Sequence, residues 1–182
     1  MTTADDAVTL TRNCAATTVP SGDPVALAGG TVVHVVQRLG GSITVRTGFG
    51  TLVRIDADDA DALGLGGPGR NVTITRTGPF DMADVTAALR TVYDPEIPVS
   101  IVDLGLVYRC EERLEDDGTR RIEIDMSMTA PGCGMGDVLC ADARRAVERV
   151  PGVDHADVNL VFDPPWGIDR ISDEARLELG LL

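Results

Sequence analysis

The stretch Ile122-Glu-Ile-Asp-Met-Ser-Met-Thr129 predicts a β-strand with one buried face. Apolar and polar residues alternate strictly along it, and successive side chains of a strand point to opposite faces of a sheet. The isoleucine and methionine side chains, including Met126 and Met128, are therefore expected in the core. The polar side chains are expected on the other face.

The strand is followed by the glycine-rich loop Ala130-Pro-Gly-Cys-Gly-Met-Gly136 and by a predicted helix from about Asp137 to Val150. Apolar residues recur on one face of this helix, and Pro151 ends it. The loop places Cys133 just before the helix N-terminus, where free N–H groups and the helix dipole favour a thiolate. A thiolate is a nucleophile and a soft-metal ligand. The loop alone leaves two interpretations open: a functional thiol, or a glycine-rich turn that contains a small residue.

The flanking sequence predicts further helices and strands around this unit. Asp81 can cap a helix that ends before Pro95, and Ser172 can cap a short helix near the C-terminus. The segments Ile101–Cys110 and Ala156–Phe162 are predicted strands.

Residues 1–80 show a different pattern, typical of β-hairpins. Short β-type runs alternate with glycine pairs, and two acidic or glycine-rich loops, Asp56–Asp61 and Gly64–Gly69, interrupt them. The predicted strands are Thr31–Gln37, Ser42–Thr47, Thr51–Ile55 and Asn71–Thr77.

The charge also changes near residue 80. Residues 1–80 carry 7 acidic residues and 6 arginines, whereas residues 81–182 carry 22 acidic residues and 10 arginines. We therefore expect a β-rich N-terminal segment of hairpins, residues 1–80, and an α/β domain of the α+β kind, residues 81–182. In that domain a small mixed sheet would be packed by helices.

Composition excludes several functions. The 182 residues carry a formal net charge of −13, so binding to nucleic acid or to an anionic membrane surface is not expected. The chain contains no lysine, which excludes a P-loop and a pyridoxal phosphate Schiff base. A signal peptide and a membrane span are not evident, so we expect a cytoplasmic protein with reduced thiols.

Other chemically reactive residues support weaker hypotheses. Cys140 is expected to fill the core rather than to bind a metal, and Cys14, in an N-terminal tail, and Cys110 are expected to be bystanders. Asp94 and Glu96, two positions apart, could supply hard ligands, a general base or hydrogen bonds to a cluster ligand. Alternatively, Asp94 ends the helix and Glu96 is solvated.

His34, His155 and Trp166 complete this set of reactive residues. The two histidines lack the sequence frames of zinc and serine hydrolases. Trp166 is expected to cover the core rather than to anchor a partner.

Four motifs and the C-terminal segment together resemble the metal–sulfur cluster biosynthesis family that includes SufT and PaaD. The resemblance spans about residues 82–180, and the preceding β-rich segment is similar to the extension of the SufT type. The motifs are Asp94-Pro-Glu-Ile-Pro98, Ser100-Ile-Val-Asp-Leu-Gly-Leu-Val-Tyr108, Met128-Thr-Ala-Pro-Gly-Cys-Gly-Met-Gly136 and Asp163-Pro-Pro-Trp166, with Ile171–Gly180 closing the chain.

The resemblance implies an accessory factor for iron–sulfur cluster assembly or maturation, not an enzyme. It assigns Cys133 as the metal ligand and Asp94, Glu96 and Thr129 as further cluster-binding positions. The cofactor would be a transient iron–sulfur cluster, and the partners would be assembly machinery and client apoproteins.

Several arrangements stay open. Because clusters usually take four cysteine ligands, one thiolate per chain implies a shared site. A homodimer that joins two Cys133 loops would provide one. The alternatives are an interaction adaptor without its own cluster and a PaaD-like maturation factor for an oxygenase. A cysteine enzyme is disfavoured, because no histidine is near Cys133 in sequence to activate it.

Overall fold

The computed structural model describes residues 7–65, 79–130 and 134–181. The chain divides into two compact units between Asn71 and Val72. The domain boundary expected at residue 80 remains a proposal. Each unit has its own sheet.

The first unit contains a six-stranded antiparallel sheet with the strand order β1-β4-β5-β6-β2-β3. Tight turns connect β4 to β5 and β5 to β6, as the glycine pattern predicted. The strands are β1 (Ala7–Thr9), β2 (Cys14–Val19), β3 (Pro24–Leu27), β4 (Val32–Leu39), β5 (Ser42–Thr47) and β6 (Leu52–Asp56).

The sequence identified only half of these strands. Strands β4 to β6 were predicted to within two residues, whereas β1 to β3 were missed, and the predicted strand Asn71–Thr77 lies outside the described residues. Cys14 was expected in a tail, which is wrong, because it is buried in β2. Burial is also not confined to one face, since Thr44 and Arg54 lie opposite each other and are buried as well.

The prediction of an acidic loop after β6 is wrong. Residues Ala57–Leu63 form a 3-10 helix that buries Ala60, Ala62 and Leu63. Its acidic side chains face Arg12, whose guanidinium lies 2.8 Å from an Asp59 carboxylate oxygen and 2.5 Å from one of Asp61. The small apolar residues between the acids therefore determine this element, and Arg12 compensates the charge.

The second unit contains a three-stranded mixed sheet, as predicted. Strands β7 and β8 are antiparallel, and β8 and β9 are parallel. A parallel pair needs a crossover connection, which the long helix α2 provides. The elements are α1 (Met82–Leu89), β7 (Val107–Leu114), β8 (Arg120–Met126), α2 (Gly136–Glu148), β9 (His155–Leu160), a 3-10 turn (Ile168–Arg170) and α3 (Asp173–Glu178).

The core of this unit follows the sequence pattern. Ile122, Ile124 and Met126 of β8 are fully buried, and Met128 is nearly so, which confirms the alternation. Helix α2 packs on β9 and α1, with Leu139 and the other residues of its apolar face buried. Burial of such side chains contributes about 1.5–3 kcal/mol each.

The predicted strand Ile101–Cys110 is wrong in its first half. The Asp103 backbone N–H donates to Ser100 Oγ at 3.1 Å, and the Leu104 N–H donates to the Ser100 carbonyl oxygen at 2.9 Å, so the chain turns here. Gly105 then has a φ of +67°, which a strand does not allow. The apolar run fills the core from a turn, and β7 begins only at Val107.

Both predicted helix caps are confirmed. The Asp81 carboxylate accepts the Ala83 N–H at 2.9 Å, and Ser172 Oγ accepts the Ala175 N–H at 3.2 Å. None of the helices within residues 7–65, 79–130 and 134–181 is long and apolar enough to cross a membrane.

Candidate functional site

The candidate site begins where β8 and β9 end. Because these strands are parallel, their C-terminal ends lie at the same edge of the sheet. The Ser127 N–H donates to the Leu106 carbonyl oxygen at 2.8 Å, and the Val161 N–H donates to the Met126 carbonyl oxygen at 2.8 Å. Ligand sites of open α/β sheets typically lie beyond this end of the strands.

The loop that carries Cys133 starts at this edge. Pro131, Gly132 and Cys133 lie outside the described residues. On the N-terminal side Met128 is buried, and on the C-terminal side Met135 is buried. Both flanks of the loop are therefore fixed to the core.

Gly136 brings the start of α2 close to β9. A Cβ atom at this position would lie 3.0 Å from Leu160 Cδ2 and 3.8 Å from Met128 Cγ. Any side chain would push the helix from the strand or displace Leu160. The glycine thus holds the helix end against the edge from which the loop leaves.

Helix α2 has no side-chain cap from its N-cap residue, Met135. The 13-residue helix presents the positive end of its dipole at this end. Asp137 lies in the first turn, where an acidic residue interacts favourably with that dipole. The helix dipole on which the expected Cys133 thiolate depends is therefore present in the structure.

The three described cysteines have raised thiol pKa values, whereas a lowered one is expected for Cys133. Burial raises the pKa of Cys14, of Cys110 and of Cys140 above that of a free thiol. In Cys140, Asp137 raises the pKa further. These thiols remain protonated at neutral pH and are poor nucleophiles, as expected of Cys14 and Cys110 as bystanders. Cys140, which was expected to fill the core, is half-buried.

Asp94 fixes a turn between α1 and β7. Its carboxylate is buried, with 4% of the residue exposed, and Oδ1 accepts the backbone N–H groups of Glu96 and Ile97, both at 2.9 Å. Asp94 does not end the helix, because α1 ends at Leu89. Glu96 is exposed on the turn, as the solvated alternative predicted.

Three of the predicted site residues, Asp94, Glu96 and Thr129, lie within the described residues, and Cys133 lies outside them. Thr129 is half-buried just after β8, whereas Asp94 and Glu96 lie on the turn before β7. Across the described parts of the chain, no group of three or more His, Cys, Asp or Glu side chains could hold a metal ion. The assignment of Cys133, Asp94, Glu96 and Thr129 therefore stays a prediction.

The outer face of the sheet is charged and highly paired. Arg109 Nε donates to Asp125 Oδ2 at 2.6 Å, and its Nη1 donates to Glu123 and Glu111 at 3.2 and 3.0 Å. The hydrogen bond from Arg109 lowers the pKa of Asp125, and contacts with Arg113 and then Arg109 lower the pKa of Glu123. The alternation of this face was predicted from the sequence, whereas the pairing of its charges was not.

Sequence reasoning missed one more group of contacts near the site. Residues 103–108 contact Trp166, Arg170 and Ser172 of the C-terminal segment. Trp166 was expected to cover the core, and it is half-buried with its N–H bonded to a main-chain oxygen. The partners are about 60 positions apart, so the sequence carries no local signal for these contacts.

The second unit is a small α+β domain, in which the segment that carries Cys133 connects β8 to α2. A family model described as "Iron-sulfur cluster assembly protein" matches residues 82–160. The "Fe-S protein maturation auxiliary factor" of Porphyromonas gingivalis is 46% identical over 99 residues, which cover 54% of this chain and 90% of that protein. The chain belongs to this iron–sulfur cluster assembly family.

Two further relatives support the assignment. The chain is 35% identical over 98 residues to the "Fe-S protein maturation auxiliary factor YitW" of Bacillus subtilis, covering 54% of this chain and 92% of that protein. It is 36% identical over 90 residues to the "Fe-S protein maturation auxiliary factor SufT" of Staphylococcus aureus, covering 50% and 98%. Each alignment spans about half of this chain.

Proposed function

We propose that this chain is an iron–sulfur protein maturation factor that holds a cluster transiently through Cys133 and passes it to client apoproteins. The observation that carries the proposal is the 46% identity to a maturation auxiliary factor over 90% of that protein's length. The cluster is cargo in this proposal and not a resident cofactor. The protein acts as an accessory factor without a catalytic step of its own.

The arrangement of the thiols supports Cys133 as the ligand. The other three cysteines are buried or half-buried, and burial raises their pKa. Cys133 follows a strand end in a loop with fixed flanks and precedes an uncapped helix N-terminus. It is therefore the cysteine for which the surroundings favour a thiolate at neutral pH.

A single thiolate suits transfer better than storage. A cluster usually takes four cysteine ligands, so the remaining ones must come from a second copy of the chain, a client or a small thiol. During transfer, the bond between iron and Cys133 Sγ breaks as a client thiolate binds the same iron. The client cysteine releases its proton to solvent, Cys133 leaves the iron as a thiolate, and no electron moves.

We assign supporting roles to the three other predicted positions. Asp94 uses Oδ1 to hold the turn that exposes Glu96, so Glu96 is free to face cargo or partner. Thr129 lies four positions before Cys133 and offers a hydroxyl near the loop. Partners are the assembly machinery and client apoproteins, and a reducing cytoplasm would keep Cys133 available.

The test is anaerobic reconstitution with iron and sulfide on the wild type, Cys133→Ser and the matched control Cys140→Ser. We expect a visible chromophore with matched iron and sulfide in the wild type and in Cys140→Ser, and its loss in Cys133→Ser. Transfer is then measured as activation of an apo-ferredoxin. A colourless wild type that still supports client maturation in cells would replace the carrier by an adaptor.

A further inference from the structure

The C-terminal segment, residues 162–181, presents large apolar side chains to solvent. The described part of the second unit has five exposed large apolar residues, and four of them lie in this segment. They are Phe162, Ile168, Leu177 and Leu181, with exposed fractions of 49%, 57%, 71% and 47%. Exposed apolar residues that are scattered need no explanation, whereas a concentration of them is typical of an interaction surface.

The inner side of the segment is fixed to the rest of the unit by hydrogen bonds. Trp166 Nε1 donates to the Leu104 carbonyl oxygen at 2.8 Å. The Ser172 backbone N–H donates to the Asp103 carbonyl oxygen, also at 2.8 Å. Both acceptors are main-chain atoms, so these contacts set the path of the segment. A surface that is already ordered loses less entropy when a partner binds.

Three of the exposed apolar residues belong to one small folded unit around Arg176. Arg176 Nη2 donates to the carbonyl oxygens of Ile168 and Asp169 at 3.2 and 2.5 Å. The Leu181 N–H donates to the Arg176 carbonyl oxygen at 2.8 Å and closes the end of α3. Ile168 and Leu181 therefore lie near the last turn of α3, which carries Leu177. We call Ile168, Leu177 and Leu181 the C-terminal apolar surface.

Acidic side chains accompany this surface. Asp169 follows Ile168 in the chain, and Glu174 and Glu178 lie three positions before and one position after Leu177. All three acidic side chains are exposed, and they form no ion pair with any residue that the structure describes. We call these three residues the acidic rim.

The arginines of the segment do not neutralise the rim. Residues 162–181 contain five acidic residues but only two arginines. The Arg170 guanidinium carbon lies 3.9 Å from the centre of the Tyr108 ring, and Arg176 pairs with Asp173 at 3.8 Å. On the outer face of the sheet, by contrast, arginines pair with the acidic side chains. The negative charge of the rim is therefore available to a partner.

Charge complementarity determines which occupant fits the surface. A second copy of the chain fits poorly, because a symmetric contact would bring equal negative charges together on chains of net charge −13. The same charge disfavours nucleic acid and anionic lipid. A protein segment that carries lysine or arginine beside apolar side chains matches both the apolar surface and the rim.

We propose that the C-terminal apolar surface and its acidic rim bind a cationic, amphipathic segment of a partner protein. The apolar side chains of that segment pack on Ile168, Leu177 and Leu181, and its cationic side chains face the rim. The inference deepens the proposed function and rests on it for the presence of partner proteins. It involves neither Cys133 nor a cluster.

The test measures binding of a defined peptide to the full chain. The probe is a fluorescein-labelled helical peptide of leucine and lysine, about 18 residues or five turns long, with leucine on one face. Affinity is measured by fluorescence anisotropy at about 0.15 M salt, where the Debye length is about 8 Å. A second peptide has glutamate in place of lysine, and a third has a scrambled order without an apolar face.

Leu177→Gln and Ile168→Gln test the apolar surface, and Glu178→Arg tests the rim. Leu114→Gln and Asp116→Arg are the matched controls, since Leu114 is 65% exposed at the end of β7 and Asp116 is exposed in the β7–β8 turn. Each control makes the same kind of change elsewhere on the second unit. The melting temperature of every variant shows whether its fold is intact.

We expect Leu177→Gln to weaken binding of the leucine–lysine peptide about tenfold, and Ile168→Gln and Glu178→Arg about threefold each. The controls should change the affinity less than about twofold, and the glutamate and scrambled peptides should bind at least about tenfold more weakly.

Three results would overturn the inference. The first is a wild type that does not bind the leucine–lysine peptide, and the second is an equal loss of affinity in the controls. The third is a dimer of the free chain that Leu177→Gln dissociates, which would assign the surface to a second copy. Peptide binding needs no iron, so a colourless wild type after reconstitution would reject the carrier proposal while leaving this result interpretable.

Discussion

The two units build their sheets in different ways, and the difference bears on where we propose that the chemistry lies. The first unit is antiparallel throughout, so tight turns suffice to connect β4, β5 and β6. The second unit contains the parallel pair of β8 and β9, which requires α2 as a crossover. The crossover brings a helix N-terminus and a loop to one sheet edge, an arrangement that the first unit lacks within its described residues.

The cysteines of the two units follow the same division. Cys14 of the first unit is buried in a strand, and burial raises its pKa. In the second unit, the loop between β8 and α2 carries Cys133. The family model matches residues 82–160, which belong to the second unit. The thiol that we propose as the reactive one therefore belongs to the sheet with the crossover and not to the sheet of hairpins.

Among substitutions that test this comparison, Gly105→Ala in the second unit is expected to lower the free energy of unfolding most. The added methyl group collides with the Arg170 backbone, and alanine is strained at a φ of +67°. We expect a loss of about 4 kcal/mol in the free energy of unfolding, measured with urea.

Gly118→Ala is the control for that substitution. Gly118 has a φ of +88°, but an added Cβ meets nothing within 4 Å. Only the backbone strain remains, so the expected loss is about 1 kcal/mol. Equal losses in the two variants would show that the approach of Arg170 to Gly105 contributes nothing.

A smaller effect is expected from Ile55→Ala in the first unit. Ile55 is fully buried, so its truncation should cost about 3 kcal/mol through lost burial and a cavity. The alkylation rate of Cys133 should stay at the wild-type value, because we place the chemistry in the second unit. A changed Cys133 rate in this variant would contradict the division of roles.

Phe49→Ala provides the matched surface control in the same unit. Phe49 lies in the turn between β5 and β6 and is 99% exposed. Its truncation should change the free energy of unfolding by less than about 0.5 kcal/mol.

The smallest effect is expected from Asp125→Asn on the outer face of the second sheet. The hydrogen bond from Arg109 is the main cause that lowers the pKa of Asp125 in the folded state. A lowered folded pKa stabilises the protein above the unfolded pKa of about 4, and this contribution is lost as the pH falls through the folded value. The variant should lose under about 1 kcal/mol at pH 7.

The pH dependence makes that prediction specific. Wild-type stability should fall as the pH drops below about 4, and Asp125→Asn should show a shallower fall. Glu123, whose pKa Arg113 and Arg109 also lower, accounts for part of the remaining slope. Asp116→Asn, at an exposed position in the β7–β8 turn, is the control. An unchanged acid slope in Asp125→Asn would show that the Arg109 pair does not contribute.

The candidate site was predictable to the extent that its signals are local. The glycine-rich loop between an alternating strand and an amphipathic helix located Cys133 without reference to distant residues. The turn at Asp94 was not predictable, because its carboxylate could equally end a helix, bind a ligand or accept backbone N–H groups. The structure shows the last of these for Oδ1.

The sequence by itself determined the elements whose residues repeat with a clear period or carry cap chemistry. These include β8, α2 and the caps at Asp81 and Ser172, because alternation and capping depend on neighbours within a few positions. The succession of predicted helices and strands in residues 81–182 also indicated a small sheet packed by helices.

Tertiary structure alone decided the elements that depend on distant partners. The apolar run Ile101–Leu106 is compatible with a strand or a buried turn, and the core it fills determines which one forms. Strand β2, rich in small residues, is stabilised by pairing with β6. The bond from Trp166 to Leu104 joins residues 62 positions apart, and only the folded path of the chain brings such partners together.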